Sequence, residues 1–384
     1  MSIGPPLNLP VLPVLSCADL RGSVPAKEHS LLRVGSGVLL DSGASAIRAA
    51  LAAIRVGPGD RVLVPAFHCP AMLTPVLHAG AEARFYAIEE DLSISLAAIE
   101  GAMGPRVRAV LVPHLLGRIQ RLRQIRELCD ARGAVLIEDC AHSFFGSADG
   151  IPVGTTGHFA VGSPRKFLPT IDGGFLTSAE RSVAEVARRK RSWRGELVAC
   201  FDTLDIASRH GRLWAARPVV RAVKALHAAT AGPSVARDVD AGANGVEVAS
   251  SYEVADAARI TRACLRRLIT AEALRRRREN FAYLRAGLQG ASALTVLQIE
   301  VSGADNVPYM LPALLHDPAR DYARLRAAGV PLWRWEYSMR GICAVTDRYA
   351  EHLIQIPCHQ SLSQRDLDGM LARLTGPATT RARS

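Results

Sequence analysis

From residue 40 onward, short apolar runs alternate with stretches whose apolar positions recur about every 3.6 residues. β-rich runs at 61–66, 83–88, 107–114 and 134–140 predict strands, separated by intervals long enough for helical crossovers. Right-handed crossovers of that length imply an α/β unit: a mainly parallel sheet with helices on both faces. Two more runs, 158–163 and 173–178, lie too close together for a crossover, so one of this pair is expected to run antiparallel. Residues 225–251, rich in Ala, Gly and Ser without periodicity, read as a mobile connection. Residues 253–288 read as one long arginine-crowded helix that bridges into a second unit. Beyond it the pattern predicts a strand at 309–315, a loop carrying Trp333-Arg334-Trp335, and a closing helix at 363–374. Neither an internal repeat nor a low-complexity tract interrupts this order.

The first residues are different. Val14-Leu15-Ser16-Cys17 has the look of a lipoprotein cleavage box, but no basic region precedes it, and Pro5, Pro6, Pro10 and Pro13 break any apolar helix. They predict an extended arm lying on the protein surface. The expected organisation is an arm (1–20), a large domain (21–245), and a long helix with a smaller α+β C-terminal domain (246–384).

Composition narrows the classes. Of 384 residues 49% are hydrophobic and 22% charged, enough for a sizeable core and incompatible with global disorder. No apolar run approaches the roughly 18 residues of a spanning helix. The net charge of +11 is carried by arginine, because the only lysines are Lys27, Lys166, Lys190 and Lys224. Such a surface attracts anionic substrates, or simply reflects an Ala/Arg bias. No basic stretch is interleaved with aromatics as a nucleic-acid stacking platform requires, so neither nucleic acid nor membrane is an expected partner. The eight cysteines form no CxxC pair and no His cluster completes a zinc pattern, which points to a reducing cytoplasm and to no metal.

Three segments carry candidate chemistry. Asp41-Ser42-Gly43-Ala44-Ser45 opens a helix with small residues, leaving backbone N–H groups and the positive dipole end facing an anion, or acting as an ordinary N-cap. In Val135-Leu136-Ile137-Glu138-Asp139 an apolar strand runs into two carboxylates, at the strand end where parallel sheets bind ligands. Alternation places Asp139 and Glu138 on opposite faces. Ser163-Pro164-Arg165-Lys166 sets a rare lysine in a Pro-bounded turn before Gly173-Gly174. Unlike arginine, a desolvated lysine can lose its proton and become a nucleophile.

The ordered set resembles the DegT/DnrJ/EryC1/StrS family, sugar aminotransferase-like enzymes of fold type I that use pyridoxal 5′-phosphate (PLP). The resemblance runs from about residue 39 to 374. Ser42-Gly43-Ala44-Ser45-Ala46 is similar to the family's SGTxAL, residues 56–65 to its GxGPGDEVIVP, and Pro113-His114-Leu115-Leu116-Gly117 to its VHxxG. Glu138-Asp139-Cys140-Ala141-His142 is similar to EDxAQ, Ser163 to Lys166 with Gly173-Gly174 to S-x-x-K…GG, and residues 356–363 to LPxHQxLS.

The resemblance implies that Lys166 holds PLP as a Schiff base and then moves protons. It implies that Asp139 pairs with the pyridine nitrogen, and that Gly43, Ala44, Ser45 and Ser163 bind the phosphate. The aromatic that lies on the ring would come from Phe67-His68-Cys69-Pro70, with His68 or Phe67 the candidate. His142 stands where the family has Gln, able to bond the phenolic oxygen or lie against the ring. The lysine loop is short, and Ser251-Tyr252-Glu253 matches the family's Asn-Tyr-Arg stretch poorly. This variant pattern resembles a subgroup of polysaccharide and secondary-metabolite gene clusters. The implied protein is a cytoplasmic, homodimeric aminotransferase moving an amino group from an amino acid, glutamate or glutamine, to a keto group of a sugar-like or other small intermediate. Elimination, decarboxylation or substitution on the same cofactor is the alternative, as is a non-catalytic regulatory relative.

Overall fold

Strands β1 (Ser36–Leu40), β2 (Arg61–Pro65), β3 (Glu82–Tyr86), β4 (Val107–Pro113) and β5 (Val135–Asp139) come first in the chain. A small hairpin, β6 (Ser147–Ala148) and β7 (Ile151–Pro152), follows, then β8 (Phe159–Gly162) and β9 (Gly174–Ser178). Apart from the hairpin these make one seven-stranded sheet, in the order β1-β9-β8-β5-β4-β2-β3. The run β3-β2-β4-β5-β8 is parallel throughout, whereas β9 is antiparallel to both β8 and β1. Helices Gly43–Ala53, Pro70–His78, Leu96–Ala102 and Arg123–Ala131 fill the intervals between the first five strands. The central strands read as near-continuous apolar runs because both faces are covered: β4 is buried at every position but Arg108, and β5 at every position but the half-buried Val135. This computed structural model describes residues 5–19, 24–230, 253–300, 305–335 and 338–375.

A second sheet, antiparallel, joins β10 (Leu294–Val296), β11 (Met310–Leu315) and β12 (Leu353–Pro357) in that order. It packs with helices Ala271–Gly287 and Gln364–Leu374 around Leu284, Leu311, Ile354, Ile356 and Met370. The large core cluster is not confined to the first sheet, since it takes in Tyr309, Trp335 and Tyr349. Strands β1 to β9 fall in the segment expected to form the large domain, and β10 to β12 in the one expected to form the smaller.

The arm lies across both units. Leu7 donates to Ala328 (3.1 Å), Asn8 to Arg209 (2.8 Å), and Val14 exchanges bonds with the Ser361 hydroxyl (3.1 and 2.9 Å).

Several expectations need correction. The stretch 253–288 is two helices, Arg259–Arg267 and Ala271–Gly287. The break has a cause: Thr270 is extended and caps the second helix by accepting from Ala273, and Ile269 accepts from Ala26 (3.0 Å) as residues 24–26 pair alongside. Of the connection 225–251, the first residues close a helix, Arg217–Thr230, and the rest lie outside the described residues. Helix Trp193–Arg209 and strands β1, β10 and β12 were not anticipated. The closing helix, Gln364–Leu374, starts at Ser363 with a full capping box.

Candidate active site

Neighbouring carboxylates on β5 have opposite surroundings. Glu138 is saturated: its oxygens accept from His114 Nε2 (2.9 Å), Gly154 N (2.6 Å), Thr156 N (3.2 Å) and Gly157 N (2.9 Å). Although it is buried, these donors hold its carboxyl below the usual range. His114 Nδ1 accepts from Gln120 N (3.0 Å), which leaves Nε2 as the donor to Glu138. His114, Glu138 and Cys140 have ligand-capable atoms within 4.8 Å of one another, yet the His114 and Glu138 atoms are already hydrogen-bonded, which makes the cluster a structural network.

Asp139, on the other face, has one backbone donor, Ala141 N at 2.9 Å. Burial pushes its carboxyl up, and the Lys166 charge opposes that shift. Lys166 sits in the 3-10 turn Pro164–Lys166 after β8, near the C-terminal end of β5. Burial pushes its amine down, with Cys69 and Asp139 working against the shift and Arg165 reinforcing it. The Nζ lies 5.5 Å from the centre of the Tyr309 ring.

Tyr309, immediately before β11, stacks on His142 with centroids 4.3 Å apart and 14° between planes. Its hydroxyl is buried with no hydrogen-bond partner among the described residues. His142 Nδ1 accepts from Leu116 N (3.3 Å), and burial holds the ring neutral, so its proton is on Nε2. Leu116 makes that bond from a left-handed conformation (φ 53°), a backbone strain of the kind that collects at functional sites. Trp335 closes the cluster, 5.3 Å from His142 and 4.9 Å from Phe67. The Trp333–Trp335 segment is therefore a packed corner: Trp333 and Gln355 exchange backbone bonds at 3.2 and 2.8 Å.

The helix Gly43–Ala53 points its N-terminus into the same region. Ser42 accepts from Ser45 N, and the Ser45 hydroxyl donates to Asp41, so the amides of Gly43 and Ala44 head the helix. A Cβ on Gly43 would sit 3.6 Å from that of Ser163, which places Ser163 beside this cradle. The glycine pair has a steric reason. A Cβ on Gly174 would be 1.8 Å from the Ser42 carbonyl, so only glycine lets β9 approach the turn this closely.

The structure thus brings Lys166, Asp139 and His142 together and sets Gly43, Ala44 and Ser163 against one another. His68 is held elsewhere: its ring stacks on Phe85 (5.3 Å) and its Nδ1 bonds Pro65 and Ala66 carbonyls. In its segment Cys69 is the residue coupled electrostatically to Lys166 and Asp139. Tyr309 and Cys69 were not read as site residues, since nothing in their local pattern distinguishes them from core residues, and Trp335 stood out only as part of the Trp333-Arg334-Trp335 segment. A cavity of about 40 Å³ between the arm and the lysine loop is lined by Arg165, Thr170 and Trp333, but by neither Lys166 nor Asp139.

A sequence model of the DegT/DnrJ/EryC1/StrS aminotransferase family matches residues 28–375. The chain belongs to this family. It is 35% identical over 173 residues to a UDP-N-acetyl-3-dehydro-α-D-glucosamine 3-aminotransferase of Acidithiobacillus ferrooxidans, covering 44% of this chain and 46% of that one. It is 34% identical over 157 residues to an L-glutamine:2-deoxy-scyllo-inosose aminotransferase of Streptomyces kanamyceticus, covering 40% and 36%. The chain thus spans under half the length of these curated relatives. Among solved structures, the aminotransferase TlmJ of Streptoalloteichus hindustanus has a TM-score of 0.60 at 24% identity, covering 88% of this chain and 84% of that one. A Streptococcus pneumoniae protein named as a sugar aminotransferase, solved in its PLP form, has a TM-score of 0.64 at 16% identity, with 96% and 97% covered. The α/β architecture is that of PLP-dependent fold type I, and membership of the DegT family implies PLP as the cofactor.

The residues present fit that group. Asp139 is a buried acceptor with one donor, the Tyr309 hydroxyl is an orphan, and a helix N-terminus offers amides near Ser163. Together they suit a protonated ring nitrogen, a polar ring and a phosphate.

Proposed function

We propose that this DegT-family chain is a PLP-dependent aminotransferase that moves an amino group from glutamate or glutamine to the keto group of a sugar-like or other small biosynthetic intermediate. The observation that carries this reading is that Lys166 and Asp139 are buried within electrostatic reach of each other at the strand ends, beside the His142–Tyr309 stack. Bound PLP supplies an electron sink for the carbanion formed at the donor's α-carbon. Lys166 would hold the cofactor and would carry the proton to and from that carbon; burial favours the neutral amine this requires. Asp139 would hold the protonated ring nitrogen through its carboxylate. His142, neutral with its proton on Nε2, is a donor for the phenolic oxygen. Gly43, Ala44, Ser45 and Ser163 hold the phosphate, the Ser45 hydroxyl exchanging Asp41 for it. Relatives named for UDP-sugar and scyllo-inosose substrates support the acceptor class, and one named for L-glutamine supports the donor.

The proposed assembly is a homodimer. Trp193, Leu197, Val198, Trp214, Val219 and Val223 form exposed apolar surface on the helix pair 193–230, which supports it. All eight cysteines are free, which supports a cytoplasmic setting, and no described helix is long and apolar enough to cross a membrane. The test is a half-reaction. Loaded protein mixed with glutamate alone should release about one 2-oxoglutarate per Lys166 site as the visible absorbance of the cofactor falls. Continuous turnover of the donor without an acceptor would instead favour elimination or decarboxylation.

A further inference from the structure

The arginine run 275–278 reads as a solvated helix face or an anion-binding edge, but its four members go separate ways. Arg275 is exposed and pairs with Glu272 and Glu279, Arg278 pairs with Glu28, and Arg276 reaches the Leu362 carbonyl at 2.9 Å. Arg277 is 1% exposed and makes no ion pair among the described residues. A buried guanidinium without a carboxylate persists only if its N–H groups are otherwise satisfied.

Arg277 achieves this with carbonyls. Its Nη2 donates to Lys166 O (3.1 Å) and Phe167 O (3.4 Å), and its Nη1 to Pro308 O (3.2 Å) and Tyr309 O (3.1 Å). Nε and Nη2 both reach Gln360 Oε1, at 3.3 and 3.1 Å, while the guanidinium lies 4.8 Å over the Phe167 ring. Gln360 completes the triangle by donating Nε2 to Phe167 O at 2.7 Å. One cation therefore grips the backbone of Lys166, which carries the amine, and of Tyr309, whose ring centre lies 5.5 Å from it.

The flanking residues of the His359-Gln360-Ser361 stretch face the other way. His359 Nε2 bonds Pro10 O (3.0 Å) and Ser361 bonds Val14, so the arm is strapped to the segment that holds the lysine loop. This gives the C-terminal motif a mechanical reading. Its Gln reads the lysine loop, and its neighbours read the arm.

We propose that Arg277 and Gln360 are positioning residues that set the lysine loop against Tyr309, so that Lys166 presents its amine at a fixed distance from the ring site. The assignment to catalysis rests on the aminotransferase reading, but the mechanical claim does not. Gln360→Leu keeps the volume and removes the bond to Phe167; Arg277→Lys keeps charge but loses the fork. Asp321→Asn is the control, weakening the ion pairs of the buried Asp321 carboxylate with the partly exposed Arg320 and Arg324, far along the chain from the loop.

Hydrogen exchange of the apoprotein should show the amides of Lys166, Phe167 and Leu168 opening about tenfold faster in Gln360→Leu, and unchanged in Asp321→Asn. In loaded protein, the pH midpoint of the cofactor's visible absorbance should move by about half a unit or more, with kcat down about tenfold and both KM values within about threefold. Arg277→Lys should fall between wild type and Arg277→Met; if Arg277→Met does not fold, Gln360→Leu decides. Unchanged exchange in Gln360→Leu, or an equal rise in Asp321→Asn, would overturn the proposal. If PLP does not bind, the aminotransferase reading fails, and apoprotein exchange still decides the clamp.

Discussion

Replacing Glu138 and Asp139 one at a time by their amides should separate structure from chemistry on two consecutive residues. In Glu138→Gln the side chain keeps one acceptor oxygen and gains an NH2 that faces donors. Oε1 accepts from His114 and Gly154, and Oε2 from Thr156 and Gly157, so either orientation strands two donors. At about 1–3 kcal/mol for each buried donor left unsatisfied, the expected loss is about 2–6 kcal/mol. Asp139→Asn removes a desolvated charge with one backbone donor, which the amide oxygen can keep. Its apoprotein should stay within about 1 kcal/mol of wild type, while PLP affinity and turnover fall by orders of magnitude. Urea unfolding of the apoproteins at pH 7, followed by PLP titration, measures both sides. A Glu138→Gln midpoint matching wild type, or an Asp139→Asn apoprotein destabilised as much as Glu138→Gln, would refute the division of roles.

Burial pushes His359 down to about 3, so between there and about 6.5 the unfolded chain binds a proton that the native state refuses. Stability should therefore fall as pH drops below about 6.5, and His359→Leu should flatten the loss between pH 7 and 5 by about 2 kcal/mol in urea titrations. Tyr309→Phe removes the orphan hydroxyl and should raise apoprotein stability by about 1 kcal/mol while weakening PLP binding; a destabilised apoprotein would mean the hydroxyl has a partner. Light scattering with PLP bound should hold near twice 41.2 kDa across a wide dilution range, and a fully active monomer would exclude a site shared between subunits.

What sequence made legible was governed by local pattern. β4 and β5 announced themselves as apolar runs with helical intervals, and the short gap between β8 and β9 required the antiparallel pair that is present. β12 was hidden because it follows helix Ala344–His352 without a turn, and β10 because three residues carry too little alternation. The split at Thr270 depends on the distant residues 24–26, which no local window contains. In the site, Lys166 and Asp139 stood out by chemistry, one as a rare lysine and the other as an acid ending an apolar strand. Tyr309, Trp335 and Arg277 did not, because each acquires its role from packing between segments far apart in sequence. In the segment 67–70, where the resemblance offers His68 or Phe67, His68 stacks on Phe85 and Cys69 lies within electrostatic reach of Lys166.

The proposed aminotransferase site stands or falls on where PLP attaches. Purified protein saturated with PLP, reduced with borohydride and digested, should carry the pyridoxyl group on the peptide containing Lys166 and nowhere else. Lys27, Lys190 and Lys224 are the remaining lysines and serve as the internal comparison. Label on one of them, or none at saturating PLP, would contradict the assignment of Lys166 and Asp139 as a cofactor site.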